Sequence, residues 1–263
     1  MTSGTARPLA ALALLMLVPS LVAAQGRGGA PQPPRSPKDA APVDLTGYWV
    51  SLVTEDWRWR MVTPLKGDSA SVPINVAAKR IMNEWDPAKD EAAGTQCKAY
   101  GAAAIMRVPG RIHITWQDDN TLRLDTDAGT QTRLFHFNAK APASEAPSWQ
   151  GYSSARWDAG LAPVGGQLPL GLGPRQGIRS RSLEVLTTSL RPGYLRKNGV
   201  PYSDKAGVTE YFERFTEPDG DDHLMVMTVV TDPEYLAIPF VTTSDFRKEA
   251  DGSKWDPSPC SAR

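Results

Sequence analysis

The chain has 263 residues, enough for a leader, a linker and one domain of ordinary size. Its 29 basic residues balance its 29 acidic residues, and no long block of like charge is present, which argues against nucleic acid as a partner and against a polybasic membrane patch. After the N-terminal apolar run, no segment approaches the roughly 20 apolar residues that cross a bilayer as a helix.

The first residues predict a cleavable signal peptide over Met1–Ala24. Arg7 supplies the positive charge, Leu9–Val18 is apolar, and Val22-Ala23-Ala24 offers the small residues that signal peptidase accepts. We therefore expect a periplasmic or secreted protein that is cleaved near Ala24. An uncleaved, buried N-terminal helix is the alternative.

A linker and one domain come next in the chain. Residues 25–43 are rich in Pro, Gly and Ala and have little to bury, which is typical of a disordered linker. Residues 44–263 are predicted to form a single domain.

Most of that domain reads as β-structure. Extended, alternating sequence runs from Asp44 to about Val62, and Pro73–Trp85 is the one convincing helix, with Val76, Ile81 and Trp85 as its apolar stripe. Seven later segments alternate or are bounded by turn residues: Arg111–Gln117, Thr121–Thr126, Gln131–Phe137, Ser182–Leu190, Val208–Thr216, His223–Val230 and Phe240–Lys248. The pattern predicts a mainly β fold, an antiparallel barrel of the lipocalin (calycin) type or a sandwich, with one short N-terminal helix.

Cys97 and Cys260 are the two cysteines. In an oxidising compartment an even pair favours a disulfide, which would tie the C-terminal segment to the first part of the domain. Two unpaired buried thiols are the alternative. Two distant cysteines do not supply a metal site, and no metal is predicted.

The first hairpin has a predictable register. If it turns on Asp119 and Asn120, Ile114 faces Leu124 and Trp116 faces Leu122, so the apolar sides agree. The opposite face then collects His113, Thr115, Arg123, Asp125 and His136.

Two interpretations of this polar face remain open. Inside a barrel, His113 with Asp125 would be a general base, and Arg123 would stabilise an anion or enolate. Outside, the same residues would form an ordinary solvated face, which is the commoner arrangement for an antiparallel sheet.

Candidate ligand contacts come from two further segments. In Trp57-Arg58-Trp59-Arg60 the arginines could hold a carboxylate and the tryptophans an apolar ring; alternatively the indoles are core and the arginines snorkel, and both interpretations predict buried indoles. Tyr194 and Arg196 lie on a turn after a predicted strand. Trp116 and Arg133 complete the set of candidate contacts.

Two resemblances add to this. Gly47-Tyr48-Trp49 resembles the Gly-x-Trp that begins lipocalin-type barrels. Nearly the whole mature chain resembles a group of secreted bacterial β-rich proteins without an assigned activity. The segments that carry this second resemblance are Cys97–Gly101, Met106–Pro109, Pro147–Ser153, Leu183–Thr188, Asn198–Ser203, Thr209–Arg214 and Asp232–Leu236. Those proteins carry an Asp-Gly-Arg-like segment where this chain has Phe135–Asn138, so it would be a divergent member. The resemblance implies secretion and one β domain, and assigns no catalytic residue.

The sequence therefore predicts an exported β-barrel protein that binds a small, partly apolar, anionic molecule in an aromatic-lined cavity, without a cofactor. One alternative is a cofactor-independent isomerase, lyase or hydrolase that uses His113, Asp125, Arg123 and His136 in the barrel. Another is an envelope module that binds a protein. No nucleic acid, no membrane-spanning segment after signal cleavage and no particular oligomeric state is predicted.

Overall fold

The computed structural model describes Met1, Gly4 and residues 35–142, 144–158 and 182–263. Apart from Met1 and Gly4, the predicted signal peptide lies outside the described residues, as does the predicted linker up to residue 34. The chain divides into two units, Met1–Pro34 and Arg35–Arg263, and the second contains all the described strands and helices.

Nine strands of this unit close into a barrel, which confirms the predicted mainly β fold. The barrel strands are β1 (Gly47–Leu52), β2 (Arg111–Asp118), β3 (Thr121–Thr126), β5 (Gln131–Phe137), β6 (Tyr152–Trp157), β7 (Ser182–Thr188), β10 (Gly207–Thr216), β11 (Asp222–Thr231) and β12 (Phe240–Glu249). Around the barrel their order is β1-β12-β11-β10-β7-β6-β5-β3-β2. All neighbours are antiparallel except β5 and β6, which run parallel. A lipocalin barrel has eight strands in up-and-down order, so both the strand count and the parallel pair differ from that type.

Among the described residues, four short strands lie outside the barrel. They are β4 (Ala128–Gly129), β8 (Gly193–Arg196), β9 (Val200–Tyr202) and β13 (Ser258–Pro259). β8 pairs with β9 as a hairpin, and β13 runs parallel to β4.

Five short helices lie between β1 and β2. They are α1 (Trp57–Arg60), α2 (Val76–Glu84), α3 (Pro87–Ala92) and two 3₁₀ turns, η1 (Gln96–Tyr100) and η2 (Ile105–Arg107). The predicted helix is α2, which begins at Val76 because the Asn75 side chain accepts the Ala78 N–H as an N-cap. Its predicted apolar stripe is wrong, since α2 buries Ala78 and Met82 and leaves Val76 exposed. None of the described helices is both long and apolar enough to span a bilayer.

Packed apolar side chains occupy the inside of the barrel. Trp49, Ile114, Leu124, Phe135 and Phe212 are all fully buried, and the Trp49 indole N–H donates to the Leu45 carbonyl at 3.0 Å. The predicted aromatic-lined cavity is therefore not formed by these positions.

A second core covers one part of the barrel. Val208, Val230 and Phe240, all on barrel strands, pack with α2 and the β8–β9 hairpin. These three residues share strand faces with the core residues Phe212, Val226 and Phe246, so the second core continues the barrel interior along the strands rather than lying outside the wall.

The last residues of the predicted linker are part of the fold. The Trp157 indole N–H donates to the Pro37 carbonyl at 2.8 Å, and the Lys38 N–H donates to the Asp119 carbonyl at 3.2 Å. Residues 35–43 therefore pack against the barrel, because its aromatic side chains offer them a surface.

Cys97 and Cys260 form the predicted disulfide, with their Cα atoms 5.1 Å apart. It fastens the C-terminal segment beside η1. There the Tyr100 hydroxyl accepts the Ser261 N–H at 3.3 Å.

Candidate functional site

The predicted register of the first hairpin is confirmed. His113 pairs with Asp125, Ile114 with Leu124 and Trp116 with Leu122. His136 pairs with Thr121, also as predicted. Because Ile114 and Leu124 are buried in the core, the alternating polar residues face outward, and the solvated-face interpretation is the one the structure supports.

The candidate catalytic residues on this face have other partners. Asp125 accepts hydrogen bonds from Arg123 at 2.7 Å and from Thr132 at 2.5 Å, and the His113 ring stacks on Tyr48 at a centroid distance of 3.9 Å. His136 stacks on Tyr152. A His–Asp base inside the barrel is therefore wrong in its location, and a catalytic role for these side chains stays a prediction.

Their electrostatics fit that surface position. Burial under the stacked rings lowers the pKa of His113, and the nearby Asp125 carboxylate offsets part of this. Although burial raises the pKa of Asp125, the hydrogen bonds from Arg123 and Thr132 lower it below its usual value overall. The pair is thus a neutral imidazole near an ionised carboxylate that is already bonded elsewhere.

Arg133 points into the barrel, where it contacts protein groups rather than a pocket. Its guanidinium forms a fully buried ion pair with Glu210, at 2.5 and 2.9 Å, and donates to the Thr187 hydroxyl at 3.2 Å. Its predicted ligand contact is wrong, because Glu210 occupies the acceptor position.

Three other candidates also lie apart from one another. Tyr194 donates to the buried Asp90 carboxylate at 2.9 Å, and Arg58 pairs with Asp68 at 3.3 Å. Trp57 is 66 % exposed, so the prediction of buried indoles fails for this residue. The run Trp57–Arg60 forms α1 rather than a strand, because Asp56 adopts φ 53° and ends the extended chain.

Trp116 lines a pocket of about 540 Å³ together with Lys38 and Arg214. The basic groups of this pocket are already matched. Arg214 pairs with Asp222 at 2.6 Å and donates to the Asp44 carbonyl at 2.7 Å, and Lys38 lies 3.7 Å from Asp119. This pocket therefore has few hydrogen-bond donors left for an anion.

The remaining candidates, Trp59, Arg60 and Arg196, come together in one cleft of about 370 Å³. Arg107, which was not predicted, joins them. We call this site the arginine cleft, after Arg60, Arg107 and Arg196. Its lining comprises Trp59, Arg60, Met61, Val62, Thr63, Ala99, Tyr100, Ala104, Arg107, Val108, Pro109, Ala128, Leu195, Arg196, Lys197, Ser258 and Arg263.

Each of the three arginines ends a short element. Arg60 ends α1, Arg107 ends η2 and Arg196 ends β8. The Arg60 Nε–H donates to the Arg107 carbonyl at 3.0 Å, which fixes α1 on η2, and Arg196 donates from Nη1 to the Ala70 carbonyl at 2.7 Å. The side chains of Arg60 and Arg196 are therefore held by backbone carbonyls rather than by each other.

Carboxylates outside the cleft lining hold two of them further. Arg60 Nη1 lies 2.7 Å from Glu55, and Arg107 Nη2 lies 2.8 Å from Asp56. Neither carboxylate lines the cleft, so both ion pairs form outside it.

Each arginine nevertheless keeps buried donors that no described residue accepts. These are Nη2 of Arg60, Nη1 of Arg107, and Nε and Nη2 of Arg196. A buried donor without an acceptor costs about 1–3 kcal/mol, and more when the group is charged. Three such groups at one cleft form a cationic site with unused hydrogen-bonding capacity.

The arginines also act on one another. Burial, together with the charge of Arg107, lowers the pKa of Arg196 to about 10. Burial and the charge of Arg107 likewise lower the pKa of Arg60, although the Glu55 carboxylate offsets part of this lowering. An anion in the cleft would relieve this repulsion between the guanidinium groups.

Aromatic rings line the same cleft. The Arg196 guanidinium lies 4.8 Å from the centre of the Trp59 ring, and Lys197 Nζ lies 4.9 Å from that of Tyr100. Five lining residues have cationic side chains, namely Arg60, Arg107, Arg196, Lys197 and Arg263, and none is Asp or Glu. One of the five, Lys197, already donates from Nζ to the main-chain oxygen of Arg263 at 3.3 Å. The cleft can therefore hold an anion and contact an apolar group attached to it.

No known family, curated protein or solved structure matches this chain. The resemblance to secreted bacterial β-rich proteins stays a prediction. In residues 35–142, 144–158 and 182–263, no three His, Cys, Asp or Glu side chains are grouped so that they could hold a metal ion.

Sequence reasoning missed Arg107, Tyr100 and Lys197. Arg107 and Tyr100 lie in the segments that carry the resemblance, but neither had a partner nearby in sequence that pointed to a role. Because Arg60, Arg107 and Arg196 lie far apart along the chain, only the tertiary fold brings them together.

Proposed function

We propose that the protein binds a small, partly apolar anion in the arginine cleft. The observation that carries this proposal is the set of unpartnered, buried guanidinium nitrogens on Arg60, Arg107 and Arg196. Charge-assisted hydrogen bonds from guanidinium to carboxylate or phosphate are among the strongest in proteins, and arginine can donate two at once. Trp59 and Tyr100 would pack against the apolar part of the ligand.

This function is predicted to operate outside the cytoplasm. The Cys97–Cys260 disulfide fastens the segment that carries Ser258 and Arg263, both of which line the cleft. Disulfides persist in the periplasm and in secreted proteins and are rare in the cytosol. The signal peptide predicted over residues 1–24 fits the same location.

Phenyl phosphate, which joins an aromatic ring to a phosphate, is the probe for this proposal. In isothermal titration calorimetry it should bind saturably at one site. Arg196→Gln should weaken binding at least about 10-fold, because a hydrogen bond to a charged group contributes about 1.5–3 kcal/mol. Lys197→Gln, at a less buried position, should weaken it by a smaller factor.

Arg156→Gln is the matched control. Arg156 is an exposed arginine on β6 that pairs with Glu184 on the outer wall, so its loss should leave the affinity unchanged. Thermal melts of each variant separate lost binding from lost folding. Absence of binding by the wild type, or equal weakening by Arg156→Gln and Arg196→Gln, would overturn the proposal.

A further inference from the structure

An exposed apolar surface borders the arginine cleft. Four large apolar side chains within nine residues are mostly in solvent: Trp57 at 66 %, Met61 at 59 %, Val62 at 64 % and Leu65 at 83 %. Scattered exposed apolar residues are ordinary, but four in one short segment point to a contact surface. Met61 and Val62 also line the cleft, so the two features are adjoining parts of one surface.

The charge of this segment has one sign. Between Trp57 and Gly67 the chain carries Arg58, Arg60 and Lys66 and no acidic residue. Arg58 and Lys66 are exposed, so basic groups lie beside the apolar ones. Arg58 lies 3.3 Å from Asp68, which follows the segment, but 66 % of its side chain is in solvent, and such an exposed ion pair is weak enough to be exchanged for a lipid phosphate.

The exposed side chains belong to a fixed backbone. The fully buried Asn198 donates from Nδ2 to the carbonyls of Leu65 at 2.9 Å and Asp68 at 2.8 Å. Trp59 donates to the Asp68 carboxylate at 3.2 Å. The fold therefore holds the backbone of Leu65 in place while its side chain is exposed to solvent. The exposure is not caused by a frayed backbone.

These four side chains are few for a protein partner. They expose a few hundred Å² at most, whereas a standard protein interface buries about 800 Å² on each partner. Docking on a bilayer does not need so large a buried area. Apolar residues enter the headgroup boundary one by one, and basic residues are attracted to anionic lipid. Tryptophan is the residue most typical of that boundary.

We propose that the segment Trp57–Lys66 docks on an anionic phospholipid bilayer, with a lipid phosphate held in the arginine cleft. Trp57, Met61 and Leu65 would enter the headgroup boundary, and Arg58 and Lys66 would face lipid phosphates. This proposal rests on the proposed function for its cleft part, since it names the source of the anion.

The test is co-sedimentation with vesicles of equal parts phosphatidylglycerol and phosphatidylcholine, compared with vesicles of phosphatidylcholine alone. The full chain should bind the anionic vesicles, and raised salt should weaken that binding. Leu65→Ser should weaken it about 10-fold, because one large apolar side chain no longer leaves water. Its affinity for phenyl phosphate should not change, since Leu65 does not line the cleft.

Leu186→Ser is the matched control. Leu186 is an exposed leucine on the outer wall of β7, and its loss should leave vesicle binding unchanged. Arg196→Gln should weaken binding to both vesicles and phenyl phosphate.

Three results would overturn the docking proposal. Wild type that binds phenyl phosphate but not anionic vesicles would leave the proposed function standing with a soluble ligand. Vesicle binding unaffected by Leu65→Ser would remove the apolar surface from the contact. Self-association in sedimentation velocity without lipid, abolished by Leu65→Ser, would assign the surface to a second copy of the chain.

Discussion

Arg133 and Glu210 are opposite charges sealed inside the barrel, where both side chains are inaccessible to water. Such a pair is weak evidence for stability by itself, but removing one partner leaves a buried charge without compensation. Glu210→Gln should therefore lower the free energy of unfolding by about 3–5 kcal/mol, measured by urea denaturation. The double variant Arg133→Met/Glu210→Leu should recover most of this stability. If the single and the double variant lose equal free energy of unfolding, an uncompensated charge is not the cause.

His113 makes a second prediction at this scale. Burial lowers its folded pKa below the value of about 6.5 expected in the unfolded chain. The unfolded chain therefore binds more protons near that pH, so the stability contribution of the neutral ring is present above about pH 6.5 and declines as pH falls toward the folded pKa. His113→Phe keeps a ring against Tyr48 and removes the titration.

Urea melts between about pH 5 and pH 7.5 measure this effect. The wild type should lose stability on acidification more steeply than His113→Phe. Parallel slopes for the two proteins would show that the pKa of His113 is not lowered by folding.

At the scale of elements, the strands were the most predictable part. Alternation and turn residues placed β3 and β5 with their observed ends, and matching of apolar faces placed His113 opposite Asp125. The turn at Pro218–Asp221 joins β10 to β11, as its residue types indicate.

The short helices were harder to predict for a physical reason. Trp57–Arg60 alternates like a strand, but four residues are too few to distinguish a period of two from a helical turn. The hydrogen bond from Arg60 to the Arg107 carbonyl of η2 then holds α1 in place. This bond joins residues far apart in sequence, so local patterns do not contain it.

The disulfide is predicted to hold the C-terminal segment on the barrel. β13 pairs with β4, where the Ser258 N–H donates to the Asp127 carbonyl at 2.9 Å. Cys260→Ser should make this N–H exchange faster before the barrel unfolds, and should lower global stability by at most about 4–5 kcal/mol.

Hydrogen exchange followed by NMR measures that local effect. The same variant should weaken phenyl phosphate binding, because Ser258 and Arg263 line the cleft. The Met227 N–H, on barrel strand β11, is the internal control and should keep its protection. Unchanged exchange at Ser258 would show that the disulfide does not hold this segment.

At the scale of the whole molecule, sequence reasoning could not choose which face of the meander lines the barrel. Side chains alternate between the two faces, which does not say which face is inside. Only closure of all nine strands puts Ile114 and Leu124 inside the barrel. The cleft is likewise a product of closure and packing. Arg60 and Arg196 were predicted separately as ligand contacts, while their meeting with Arg107 depends on α1, η2 and β8 packing together.

Arginine Nε–H resonances during a phenyl phosphate titration test the central claim most directly. Arg196 has a buried Nε without an acceptor among the described residues, so its resonance should shift saturably with the affinity found by calorimetry. Arg133 Nε is also buried without a described acceptor, but Arg133 is sealed in the barrel with Glu210 and does not line the cleft, so it is the internal control and should not move. An unshifted Arg196 resonance at saturating phenyl phosphate, or equal shifts of Arg196 and Arg133, would contradict binding in the arginine cleft.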